Sequence, residues 1–165
     1  MRAALALLVF LVVACNSGGV SSRSSPAPSP VAINSGCAST PVLKGSIPAW
    51  LDEAGGHNNP TFLNYVLASP EIAAGFLFAY PLRAGEVTDP NNKILWVVGK
   101  PRNGSPLDIT ANPVDSVIPV VTMSFAPNAS PGEIYPSIDN VPTPGCWHFE
   151  LRWNGNVAGL DLQYV

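Results

Sequence analysis

Two imidazoles and a few clustered carboxylates carry most of the acid–base chemistry open to this chain. His57 and His148 are its two histidines. The densest group is Asp52, Glu53 and His57, three side chains able to act as acid, base or metal ligand. They share a short polar stretch with Gly55, Gly56, Asn58 and Asn59. A metal held there would need a fourth ligand from elsewhere in the chain. The competing reading is a solvated loop whose glycines supply turn conformations and whose asparagines cap the next element. No metal, cofactor or catalytic role is therefore assigned, and Asp52, Glu53 and His57 stand as the candidates for one.

The second imidazole belongs to a strand-like stretch, where the pattern sets His148 opposite Asp161. Such a cross-strand pair contributes about 0.2 to 1 kcal/mol, enough to explain it structurally. Asp89-Pro90-Asn91-Asn92 offers oxygens to calcium but lacks the carboxylates of a dedicated site. Met123 alternates with Val121 and Phe125 and reads as core rather than as a copper ligand. Asn128-Ala129-Ser130 has the form of a glycosylation sequon and adds nothing further. No G-x-S-x-G elbow, phosphate loop, dinucleotide fingerprint, H-E-x-x-H or C-x-x-C occurs, so the expectation is a protein without enzymatic activity. The formal charge of -3 gives no electrostatic reason to expect a nucleic-acid partner.

Charged residues make up only 12% of the chain, while 18 prolines and 14 glycines interrupt it every few positions. Long amphipathic helices are hard to place in such a composition, and strands and turns are favoured. Residues 1–14 show one positive charge at Arg2, an apolar run from Ala3 to Val13 and small Ala14, the layout of a secretory signal. The run is shorter than the roughly 20 residues a spanning helix needs. Leu11-Val12-Val13-Ala14-Cys15 resembles the bacterial lipobox, whose cysteine becomes acylated. That resemblance implies lipidation at Cys15, palmitate-type chains, cleavage of the leader and an extracytoplasmic protein anchored to the cell membrane. Residues 15–36, rich in Ser, Gly, Pro, Ala and Asn, then read as a flexible tether. With Cys15 acylated, an even pair remains among the three cysteines. Cys37 and Cys146 are expected to form a disulfide closing a loop of about 110 residues.

The elements that must position these groups lie in residues 37–165. Trp147, Phe149, Leu151 and Trp153 alternate with His148, Glu150 and Arg152, the period of a half-buried strand. Asn154-Gly155 suits a type I′ turn and fixes a hairpin pairing Trp153 with Asn156, Leu151 with Ala158, Phe149 with Leu160 and Trp147 with Leu162. Ala73 to Tyr80 and Ile94 to Val98 are continuous apolar runs expected as central strands. The alternating stretches at Leu107 to Thr110 and Val121 to Phe125 add two more. Asn59 to Ala68 fits either a helix after Pro60 or an extended first strand.

Pro144-Gly145-Cys146-Trp147, leading through Phe149, Leu151 and Trp153 to Asn154-Gly155 and a final strand, resembles the closing hairpin of bacterial extracytoplasmic immunoglobulin-like domains. The resemblance covers about 30 residues and is nearer to uncharacterised exported lipoproteins than to any enzyme family. It implies an all-β, immunoglobulin-like antiparallel sandwich with Trp96 as a buried core tryptophan. It also implies a binding or structural module that meets an envelope protein or ligand as partner. The rival expectation is a small extracytoplasmic metal protein or enzyme using Asp52, Glu53 and His57.

Overall fold

A computed structural model describes residues 28–37, 40–57, 60–85, 91–129 and 131–165, without the side chains of residues 34–36. Among the described residues, ten strands and one short helix make up the fold: β1 Val31–Cys37, β2 Thr40–Lys44, α1 Ala49–Ala54, β3 Asn64–Leu67, β4 Ala73–Leu77, β5 Lys93–Val98, β6 Leu107–Pro113, β7 Val121–Phe125, β8 Ile134–Ile138, β9 Gly145–Trp153 and β10 Asn156–Tyr164. They form a six-stranded sheet, in the order β1-β2-β3-β4-β5-β8, and a four-stranded sheet, β10-β9-β6-β7. Every neighbouring pair is antiparallel.

The chain is an all-β sandwich. β8 returns to pair with β5, and β9 returns to pair with β6 before turning into β10. Linking two sheets by such paired returns is the Greek-key logic of the immunoglobulin fold. Strands β1, β2 and β3 extend the first sheet beyond that nucleus.

Alternation builds the core. Trp147, Phe149, Leu151 and Trp153 of β9 and Ala158, Leu160, Leu162 and Tyr164 of β10 are all buried, in the register expected from the Asn154-Gly155 turn. Both turn residues take positive φ, 41° and 77°, as a type I′ turn requires. Across the interior, Trp96 of β5 is fully buried with its ring 6.4 Å from that of Phe149. Its pairing partner is Gly75, where a Cβ would fall 2.8 Å from the Trp96 ring. Only glycine leaves room for the indole at that position.

A second cluster lies on the outer side of the six-stranded sheet. Tyr65, Ala74, Phe76 and Val97 point away from the sandwich interior and are covered by Leu51 of α1, with Trp50 and Ala54 against them. The apolar runs read as central strands are therefore buried on both faces for a specific reason. One side meets the opposite sheet and the other meets the segment carrying α1.

Cys37 and Cys146 form the expected disulfide, with Cα atoms 5.5 Å apart and a sequence separation of 109. It ties edge strand β1 to β9 in the opposite sheet. Strand β1 starts at Val31, inside the segment expected to be tether, so the ordered fold begins ahead of Cys37. Antiparallel pairing of Val31 with Lys44 and Ala32 with Leu43 supplies partners that composition alone does not reveal. The ambiguous stretch resolves as strand, with Pro60 to Leu63 forming a turn before β3.

Candidate functional site

The Asp52, Glu53 and His57 group is not a loop. Asp52 and Glu53 lie on α1, and His57 follows in a left-handed turn with φ of 58°. The His57 N–H donates to Asp52 O and the Gly56 N–H to Glu53 O, closing the helix with a Schellman pattern. The side chains then diverge. His57 Nδ1 meets Asp52 Oδ2 at 2.7 Å with the imidazole side chain 73% exposed. Glu53 lines a different hollow, beside Trp50, Lys100 and Glu133. Among the described residues no group of three or more His, Cys, Asp or Glu side chains is placed to hold a metal ion. The segment exists because Leu51, Trp50 and Ala54 must cover a sheet face, which leaves its polar residues on the outside.

The open face belongs to the four-stranded sheet. Ile109 and Ala111 of β6 and Phe149 and Leu151 of β9 point inward, so their neighbours must point out. The register then sets Asp108 beside Arg152, Thr110 beside Glu150 and Asn112 beside His148. On the other side of β9, His148 faces Asp161 and Glu150 faces Gly159. The polar half of each strand is thereby gathered on one surface.

His148 and Asp161 meet as expected, with Nδ1 to Oδ1 at 2.8 Å and side-chain exposures of 44% and 13%. Gly159 makes this possible, since a Cβ there would lie 3.0 Å from His148 Cε1. Two hollows flank the pair. One, of about 630 Å³, includes Thr40, Ser69, Pro70 and Gly159; the other, of about 430 Å³, includes Thr110, Asn112, Ser116 and Val117. His148, Glu150 and Asp161 line both. Asp161 also meets β2 of the other sheet, its N–H donating to Thr40 Oγ1 at 2.9 Å. Glu150 pairs with Arg152 at 2.8 Å, and Ser124 donates to Asp108 at 2.6 Å. The result is a strand-borne surface of donors and acceptors in which the carboxylates of Asp108, Glu150 and Asp161 outnumber the one arginine, Arg152.

Other candidates have structural roles. Asn92, whose amide oxygen the sequence offered to calcium, is buried, and its side chain is bonded to the Arg83 backbone N–H and C=O and to Asn140 Oδ1. Asp89 and Pro90 lie outside the described residues. Met123 packs against the core cluster. Cys15, the leader, most of the tether and Ser130 lie outside the described residues. Among the described residues no helix is long and apolar enough to cross a membrane.

Sequence reasoning missed Asp139, a fully buried carboxyl between the sheets. Its Oδ2 accepts from Trp96 Nε1 at 3.0 Å and lies 2.7 Å from Ser137 Oγ, while Oδ1 has no partner among the described residues. Burial pushes its pKa up to about 7, partly offset by the Ser137 and Trp96 hydrogen bonds. The geometry fits the neutral acid. Ser137 Oγ also lies 3.1 Å from Ile94 O, and its one proton cannot serve both oxygens. A proton on Asp139 Oδ2 lets that group donate to Ser137, which then donates to Ile94. No local sequence pattern marks this residue, because its isolation is set by strands distant in the chain.

Fold and face together define an all-β sandwich of two antiparallel sheets, the outer face of one covered by α1 and that of the other carrying the polar residues. No family model matches the chain, and no curated protein or solved structure matches it either.

Proposed function

We propose that the chain is a non-enzymatic binding module of the bacterial cell envelope, held at the membrane through acylated Cys15. It recognises an envelope partner with the open face of the four-stranded sheet. The observation that carries the reading is the polar surface around His148, Glu150 and Asp161, flanked by two hollows on rigid strands while the opposite outer face is covered. The lipobox resemblance supports the anchor. The Cys37–Cys146 disulfide supports an oxidising compartment, where such bonds persist.

The test is fractionation of the expressing cell with mass spectrometry of the mature amino-terminal peptide. Acylation at Cys15 with recovery in the membrane fraction is expected, and Cys15→Ser should release the protein. An unmodified Cys15 in a chain that keeps its leader would overturn the reading.

A further inference from the structure

The two ends of the four-stranded sheet differ in kind. At one end β9 turns into β10 through Asn154-Gly155, and the polar loop Arg102-Asn103-Gly104 lies on the same side, with Asn154 Nδ2 donating to Pro101 O. At the other end, β6 runs into β7 through Val114-Asp115-Ser116-Val117-Ile118-Pro119-Val120. Val117 is 93% exposed, Ile118 71%, Val120 57% and Val114 48%. Pro142 and Pro144 are also exposed at this end, as is Val165. Four exposed aliphatic side chains on one loop, with Asp115 as its single charge, are costly to leave in water, and Val114 and Val117 also border the smaller hollow.

The loop is also held in place. The Val114 N–H donates to Cys146 O, Ser116 closes a turn on Pro113, and Asn112 Nδ2 donates to the carbonyls of Pro113 and Ser116. Its apolar tip is therefore presented by a fixed base.

We propose that this loop inserts into the lipid surface to which the chain is anchored, giving the domain a second point of contact. The inference rests on the reading that Cys15 is acylated. Reach permits it: extended, the chain from Cys15 to Val31 spans up to about 50 Å. Strand β1 itself separates Val31 from the Cys37 end by about 20 Å. Anchoring also makes a weak apolar contact effective, because the loop then meets the bilayer at a tether-set concentration on the order of millimolar. Insertion would stand the sheet upright, its polar face turned sideways at headgroup height toward a partner in the same membrane.

The acylated mature chain, beginning at Cys15 and labelled with an environment-sensitive fluorophore through Val117→Cys or, separately, Asn154→Cys, is reconstituted on vesicles of phosphatidylcholine and phosphatidylethanolamine. The label at 117 should shift to the blue and lose roughly half its intensity to a quencher on the lipid chains, as an interfacial group does. The label at 154 should do neither. A parallel Cys15→Ser chain, held on nickel-chelating lipid by an added amino-terminal histidine tag, separates the two claims. Insertion of its loop alongside an unacylated native chain would sink the anchor and keep the loop. A label at 117 that stays as aqueous as that at 154, on both kinds of vesicle, would overturn the loop proposal and leave the apolar tip to a protein partner.

Discussion

The outer faces of the two sheets start from the same problem and end differently. In the six-stranded sheet, Tyr65, Phe76 and Val97 point outward and are too apolar to face water, so the chain folds α1 across them with Leu51 as the buried contact. In the four-stranded sheet the outward residues are Asp108, Thr110, Asn112, His148, Glu150 and Asp161, and among the described residues they are bordered by Thr40, Ser69 and the loop after β6, not capped by a helix. The contrast is sharpest in the two His–Asp pairs, 2.7 and 2.8 Å long. Asp52–His57 closes the end of a covering helix, whereas His148–Asp161 sits between two hollows on an open sheet. Identical chemistry is a by-product of packing in one place and part of the proposed recognition surface in the other.

If that division is right, changes on the covered side and in the interior should cost stability, and changes on the open face should cost little. The largest loss is expected from Cys37→Ala with Cys146→Ala, about 4 to 5 kcal/mol for a loop of this length, read by denaturant unfolding. Next comes the buried acid. Asp139 titrates near 3.8 when unfolded and about 7 when folded. Its contribution is fully present below about pH 4, declines as pH rises, and is lost above 7. The span corresponds to about 4 kcal/mol. Asp139→Asn should flatten the stability profile between pH 4 and 7, and an unchanged slope would show that the carboxyl does not titrate in this way. Leu51→Ala should cost about 3 kcal/mol by opening a cavity beneath α1.

A matched pair of glycines sharpens the comparison. A Cβ at Gly99 would fall 2.8 Å from the ring of Trp50, which is pinned by packing and by its bond to Glu71. Gly99→Ala should therefore destabilise by about 2 kcal/mol through overpacking. A Cβ at Gly159 meets His148, which has solvent to move into, so Gly159→Ala should cost under about 1 kcal/mol while breaking the bond to Asp161. Histidine NMR shifts would report the second effect and thermal unfolding the first. Equal losses at the two sites would dissolve the distinction between a covered and an open face.

The final hairpin was legible residue by residue, because strict alternation and one Asn-Gly turn leave a single register that buries every large side chain. The disulfide followed from counting sulfurs. Strands β2 and β8 escaped notice because Pro41 and Pro136 break the usual strand signal, although Pro136 sits on β8, an edge strand, where a missing donor is tolerated. Helix α1 was missed because it has 6 residues, too few for a helical period to show. That error turned a short helix into a polar loop and made Asp52, Glu53 and His57 look like a site. His148 and Asp161 were paired correctly from the register. Their neighbours Thr40 and Ser69 could not be foreseen, since they arrive from the other sheet.

The central claim, that recognition belongs to the open face, is tested most directly by photo-crosslinking in intact cells. A photoreactive amino acid at Thr110, on that face, should give one discrete adduct in the envelope, and the same probe at Glu53, over the covered sheet, should give none. A discrete adduct from position 53 with none from position 110 would contradict the assignment.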